Sequence, residues 1–415
     1  MKESRSVTLP SHGELTLRTA FKSFSYPVFL LGFSLVCTAF DGAWKDIGNV
    51  DGGITGYATL SATQTWMCTT SGKVYFFDGE ALSDQTDVDP DLSLSLQGIC
   101  ALDSAHIWVA GYSYSPSPAG GRVYFWDGSE WTLMFSSTLA GNANQFRDVY
   151  AASTSRVWVC GNQAQIWGST NGGVSWDVEY DHVDNKMWYS IDGTDPEHVW
   201  VAGIEYVGKH AQILFGDGLL WHTPLSEMLG EGALRDIDAV STNEVWAIGG
   251  NDGAVVRFRN GAWESAAGLA ATNASEYSIS RTSCGDIWAS AYGYGLYFLG
   301  NDGWERDHGM SSYTWRSHAS PWQVFAEDAV SGLYVRQSYP AVERVQTGIG
   351  FAWNAIPGRT YCVEWTDNPL EPEWKAADRL TAGGWTAYWA DIGDGTSNRP
   401  PPTSSTERLY RVVQH

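Results

Sequence analysis

The sequence predicts an all-β fold: a seven-bladed β-propeller closed by an N-terminal strand and followed by a small C-terminal β-sandwich. Three observations predict it. A tryptophan-marked unit recurs at a period of blade size. Each unit breaks into four short strands separated by Gly, Asn, Asp or Ser turns. The tail of one such unit stands alone near the start of the chain, ahead of any complete copy.

The N-terminal segment comes first. Lys2, Arg5, Arg18 and Lys22 form a basic lead, and YPVFLLGFSLVCTAF (26–40) is apolar and uncharged. Cys37 and Ala39 place small residues where a signal peptidase needs them for a cut after Ala39. The run is shorter than the roughly 20 apolar residues of a membrane span. Residues 1–39 therefore read as a signal peptide, with an uncleaved anchor as the alternative; Val36 is too bulky for a lipoprotein box at Cys37. The expectation is a secreted or cell-envelope protein that meets a membrane only through this segment.

The propeller is expected over 40–345. In five segments an Ile or Val stands nine residues before a Trp: Ile99–Trp108, Val149–Trp158, Ile191–Trp200, Ile237–Trp246 and Ile279–Trp288; Tyr57–Trp66 keeps the spacing. Successive tryptophans are 42, 50, 42, 46 and 42 residues apart, the length of one four-stranded blade. The longest unit carries the insertion YSYSPSPAGG (112–121), expected to be a surface loop. After each Trp strand come runs such as RVYFWDG (122–128), AQILFGDG (211–218) and AVVRFRNG (254–261), and then Gly-x-Trp or a variant.

The seventh unit, SHASPWQVFAEDA (317–329), is degenerate, with Phe325 near the Trp place and no Gly-x-Trp strand after it. DGAWKDI (41–47) is that missing strand. A ring that failed to join its first blade to its last would expose strand edges. Trp44 is expected to pack as Trp131, Trp176, Trp221, Trp263 and Trp304 do in their blades. Beyond Gln346 the pattern changes to period-two alternation, as in Phe351 and Trp353, then Tyr361, Val363 and Trp365. Residues 346–415 read as a separate β-sandwich module.

Composition bounds function. Of 415 residues 17% are charged and 14% aromatic, against disorder, and the net charge of −22 argues against a nucleic-acid partner. Cys68, Cys100, Cys160, Cys284 and Cys362 lie in or beside apolar runs with no Cys/His metal spacing. DQTDVDPDL (84–92) alternates Asp87, Asp89 and Asp91 but lacks the Gly and Glu of a calcium loop, so it reads as a solvated acidic loop. No cofactor and no metal are expected.

LRDIDAVSTNEVWAIGG (234–250) and FRDVYAASTSRVWVCG (146–161) resemble the photosystem II assembly/stability factor propellers, with their Arg-Asp-Ile-x-Ala start and Trp-Ala-Val-Gly second strand. STNGGVSW (169–176) resembles an Asp-box turn, with Asn171 in the Asp place. The resemblance covers about 41–340 and implies the propeller fold. Only two blades carry the Arg-Asp start, and the C-terminal module sets the chain apart from the photosynthetic members. That module is similar to short β modules ending many exported bacterial proteins, which are accessory or adhesive in character.

One constellation is positional. Two residues before the Ile/Val mark, where inner strands begin and ring one mouth of the channel, stand Thr55, Gln97, Arg147, Tyr189, Arg235 and Tyr277; in the seventh blade Thr314, Trp315 or Arg316 takes the place. The expected ligand-binding set is Gln97, Arg147, Tyr189, Arg235, Tyr277 and Arg316. Arginine forks suit carboxylate or phosphate, and tyrosines add flat surface and hydroxyls. The competing reading is that Arg147 and Arg235 pair with Asp148, Asp236 or a neighbouring blade and fix packing. The function expected is a non-catalytic, monomeric binding or assembly scaffold for a protein or an anionic carbohydrate. The alternatives are an Asp-box-type glycoside hydrolase resembling sialidases, which requires acids at the same mouth, and a structural or adhesive surface protein.

Overall fold

A computed structural model describes residues 44–61, 63–115, 119–137, 145–181, 186–225, 231–266, 268–269, 271, 274–281, 287–300, 303–320, 323–328 and 332–337, together with the C-terminal strands. The segment read as a signal peptide lies outside them. A short strand β1 (Lys45–Gly48) precedes six four-stranded antiparallel sheets. Blade 1 is β2 (Ile54–Ser61), β3 (Gln64–Thr69), β4 (Lys73–Phe77) and β5 (Leu82–Asp87). Blade 2 is β6 (Ser93–Asp103), β7 (His106–Ser115), β8 (Gly120–Trp126) and β9 (Trp131–Ser137). Blade 3 is β10 (Phe146–Ala151), β11 (Val157–Gly161), β12 (Gln165–Ser169) and β13 (Asp177–Asp181). Blade 4 is β14 (Lys186–Asp195), β15 (His198–Glu205), β16 (His210–Gly216) and β17 (Trp221–Leu225). Blade 5 is β18 (Leu234–Ser241), β19 (Glu244–Gly249), β20 (Ala254–Arg259) and β21 (Ala262–Ala266). Blade 6 is β22 (Tyr277–Arg281), β23 (Ile287–Ala291), β24 (Gly295–Gly300) and β25 (Gly303–Arg306).

Blade 7 holds β26 (Thr314–Ala319), β27 (Gln323–Asp328) and β28 (Gly332–Gln337). Its outer strand is β1, antiparallel to β28 with Lys45 opposite Val335 and Gly48 opposite Leu333. Trp44 directly precedes β1, as Trp176 precedes β13, and its indole donates to Asp307 Oδ1 at 3.3 Å. It is half-buried, so it contributes less than full burial would.

Inner strands β2, β6, β10, β14, β18, β22 and β26 contact one another in ring order. The repeat Trp sits on each second strand, opposite the residue after the Ile/Val mark, as in Trp108 opposite Cys100 and Trp200 opposite Asp192. From there it packs between its own blade and the next. Trp108 joins Phe146 and Val149, Trp200 joins Leu234 and Ile237, and Trp246 joins Tyr277 and Ile279. In blade 7 Phe325 stands opposite His318 in the same place, and it packs on Ile54, Met67 and Phe77 of blade 1.

Local chemistry ends each strand. The Asp-Gly pairs close the hairpins between third and fourth strands: Asp127 Oδ1 accepts the amides of Ser129 (2.8 Å) and Glu130 (2.9 Å), and Asp217 repeats this with Leu219 and Leu220. In STNGGVSW, Asn171 Oδ1 accepts the Ser175 amide at 2.9 Å and Trp176 donates to Gly173 O at 2.8 Å, while Gly172 O accepts the Trp108 indole of blade 2 at 3.2 Å. The flanks of the 112–121 insertion extend the β7–β8 ladder, Tyr112 pairing with Gly121 and Ser113 with Gly120, while its expected loop at 116–118 lies outside the described residues. In the acidic run, Asp89 accepts from Tyr124 Oη at 2.8 Å and from the Asp91 amide at 3.2 Å.

The compact propeller unit spans Trp44–Arg336. Strand β29 (Ala341–Val345), expected in the propeller, pairs instead with β30 (Gly348–Asn354). With β31 (Thr360–Thr366), β32 (Lys375–Thr381), β33 (Thr386–Asp391) and β34 (Leu409–Gln414) these form two three-stranded sheets, β29-β30-β33 and β32-β31-β34.

Candidate functional site

The starts of six of the seven inner strands carry the feature that builds the mouth. Register breaks at Thr55, Gln97, Arg147, Tyr189, Arg235 and Trp315, each lying between two paired residues. Such a bulge re-aims its side chain out of the alternation. It also explains the Gly ending each Trp-x-x-Gly strand. That Gly faces the bulge, where a Cβ on Gly111, Gly161 or Gly203 would stand 2.2, 2.1 or 2.1 Å from a carbonyl oxygen of the inner strand.

Two of the expected ligand residues are placed differently. Tyr277 lies at no register break. It therefore alternates into the core, 1% exposed, with its hydroxyl donating to Ala271 O at 2.7 Å. Arg316 falls one position past the bulge, because Trp315 occupies it. Its side chain lines the channel and Nη1 donates to Thr55 O.

The remaining four are brought together in pairs. Arg147 donates to Gln97 Oε1 (3.1 Å), Gln145 Oε1 (3.1 Å) and Asn162 Oδ1 (3.4 Å), and lies 5.6 Å from the Tyr112 ring centre. Arg235 lies over Tyr189 at 4.2 Å. Burial, only partly opposed by the Arg235 charge, pushes the Tyr189 hydroxyl up to about 12. Neither arginine pairs with a carboxylate among the described residues. Aromatic surface continues around the rim in Tyr114 (60% exposed), Tyr206 (50%) and Tyr313 (52%).

The aspartates of the Arg-Asp pairs point the other way. Asp148 Oδ2 accepts the Ile191 amide and Ser190 Oγ of blade 4, both at 3.0 Å. Asp236 Oδ2 accepts the Ile279 amide of blade 6 at 2.8 Å, and its Oδ1 accepts Ser190 Oγ at 3.1 Å. Asp192 repeats the device on the Ala239 amide at 2.8 Å, and Ser278 and Ser280 do so on Ser317 (3.0 Å) and Ala319 (2.6 Å). The aspartates thus join successive blades, and the arginines beside them also reach a neighbouring blade, Arg147 to Gln97 of blade 2 and Arg235 over Tyr189 of blade 4.

These groups line a channel cavity of about 240 Å³ with Tyr57, Asp238, Arg316 and His318. Burial pushes Asp148 and Asp192 up to about 7 and raises Asp236, the last opposed chiefly by Arg316. Asp238 is raised well above its ordinary value, by burial and then by the charges of Asp192 and Asp236, and its Oδ2 has no hydrogen-bond partner among the described residues. Burial pulls His318 down to about 4. Among the described residues, no group of three or more His, Cys, Asp or Glu could hold a metal. Sequence reasoning missed Asp192, Asp238 and His318 as channel groups. The signal was present in SIDG and DIDAV, where an Asp follows the mark directly.

No protein-family model and no curated protein matches the chain. Solved structures do. One titled YCF48 bound to D1 peptide superposes with a TM-score of 0.54 at 14% identity, covering 72% of this chain and 98% of that one. YCF48 from Cyanidioschyzon merolae gives 0.52 at 14%, covering 71% and 98%. The WD40 propeller domain of Doa1 gives 0.53 at 10%, covering 71% and 96%. At such identities the likeness establishes the seven-bladed propeller fold and nothing finer.

Proposed function

We propose that this chain is an exported, non-catalytic propeller scaffold that binds a protein partner at the bulge-lined mouth, gripping an anionic group between Arg147 and Arg235. One observation carries the reading. Both guanidinium groups are held in place by neutral partners, Gln97, Gln145 and Asn162 for one and Tyr189 for the other. A cation positioned without a counter-ion is ready for an incoming carboxylate or phosphate. On a protein of net charge −22 it is also a local positive focus. The solved YCF48 complex, by its title, holds a peptide, which favours a protein partner over an anionic carbohydrate.

Non-catalytic action is favoured because Asp148 and Asp236, the carboxylates nearest the arginines in sequence, are occupied by backbone amides of neighbouring blades. The Asp-box relationship, closure of the ring by β1, a sandwich built from the two C-terminal sheets, and a monomeric state complete the proposal. The test is calorimetric titration with acidic peptides and sialosides, beside the Arg147→Ala/Arg235→Ala double variant. Binding lost in the variant at unchanged melting temperature supports the reading. Retained binding, or turnover of a glycoside, overturns it.

A further inference from the structure

We propose that a second subsite opens on the same mouth, at the seam between blades 7 and 1, and takes a cationic side chain, the ammonium of a lysine or the guanidinium of an arginine. That a protein partner delivers this side chain rests on the function proposed above.

The seam holds a cavity of about 490 Å³ lined by Trp315, Glu327 and Asp328 together with Gly53 and Thr70, within the size range of ligand pockets. Glu327 and Asp328 are 8% and 7% exposed. Glu327 Oε2 accepts the Ile54 amide at 2.8 Å. No hydrogen bond to its Oε1 is seen among the described residues, and the carboxylate lines the cavity. Buried charge of this kind is costly unless something pairs with it.

The wall supplies the second half of the chemistry. The bulge turns Trp315 to the mouth while Arg316, the next residue, goes to the channel and donates to Thr55 O. The Trp315 ring is held edge-on by Tyr292 at 5.0 Å. Gly53 backs it closely, since a Cβ there would stand 3.4 Å from the indole nitrogen. An indole face beside a carboxylate is the arrangement that receives an ammonium or a guanidinium.

Ring order adds direction. Arg147 and Arg235 belong to blades 3 and 5, and the 7–1 seam lies across the ring from them. A partner spanning the mouth meets cations on one side and carboxylates on the other, so it is read in one orientation. Burial pushes the Glu327 carboxyl up to about 7, so seating a cation drives off its remaining proton.

The experiment is calorimetry of the full chain with Nα-acetyl-lysine amide, Nα-acetyl-arginine amide and the neutral isostere Nα-acetyl-norleucine amide, in two buffers of different ionisation enthalpy. The expected result is saturable, buffer-dependent binding of a basic amide and none of norleucine amide. Glu327→Gln keeps an oxygen for the Ile54 amide and is expected to weaken binding at least tenfold. Trp315→Leu serves as the second variant if Glu327→Gln lowers the melting temperature. Equal binding of the neutral isostere, no saturation, or undiminished binding by both variants overturns the subsite. The Arg147→Ala/Arg235→Ala variant separates the two proposals. It should retain the basic amide, and acidic-peptide binding that survives in it defeats the arginine site alone.

Discussion

Lowering the pH from 8 to 6 is expected to stabilise the propeller. Asp148, Asp192 and Glu327 are held up to about 7 by burial. Because their folded values lie above their unfolded ones, the folded state binds protons more tightly. The resulting stability is present at low pH and is lost as pH rises through 7. Each group contributes on the order of 1 kcal/mol between pH 8 and pH 6. His318 opposes them. Its value is pulled down to about 4, so the unfolded chain takes the proton first, costing up to about 1 kcal/mol over the same interval. The net gain is on the order of 2 kcal/mol, and roughly half of that once water in the channel and coupling between the carboxylates are counted. For a unit of this size that is a rise of about 3 °C in melting temperature. Scanning calorimetry at pH 6, 7 and 8 reads it directly. Surface repulsion on an acidic protein pushes the same way, so the decisive arm is Asp192→Asn, whose amide oxygen still accepts the Ala239 N–H. A variant slope equal to the parent's, or a parent that melts lower at pH 6, refutes the assignment of this energy to the channel.

Four further outcomes are expected. Asp238→Asn should raise the melting temperature at pH 8, since it removes a buried carboxylate whose Oδ2 has no partner among the described residues; a fall at pH 8 counts against that account. Arg235→Ala should cost under about 1 kcal/mol in denaturant melts while abolishing acidic-peptide binding; a large loss of stability makes the residue structural. Gly203→Ala places a Cβ 2.1 Å from Met187 O, and a loss of about 1–3 kcal/mol in denaturant melts is expected. Deleting residues 41–48 removes β1 and leaves β28 an open edge, so a melting temperature equal to the parent's would refute ring closure by that strand.

Much of the fold was legible because its signals are periodic. The nine-residue Ile/Val–Trp spacing fixed six second strands and their core faces, and Phe325 could be placed by elimination. The C-terminal boundary was less legible, since β29 alternates like any outer strand and only its pairing with β30 reveals its sheet. At the mouth, position alone could not distinguish a bulged residue from a paired one. Tyr277 and Tyr189 are equivalent in sequence, yet only Tyr189 lies at a register break. The seam cavity left no local pattern at all, because Gly53, Trp315 and Glu327 meet only when the first and seventh blades abut.

The pairing of β1 with β28 also sets an order of events. Lys45 faces Val335, so the strand made ahead of blade 1 waits for almost the last part of the propeller before its edge is covered. Contacts of such long sequence separation form slowly, and until they do both edges of the unfinished ring invite pairing with other chains. Blades 1 to 6 can assemble as they emerge, each on its predecessor, whereas blade 7 is complete only after residue 337 has appeared. Maturation of the propeller is therefore gated at its last blade, and its most vulnerable interval lies between the completion of blade 6 and the docking of the four residues of β1.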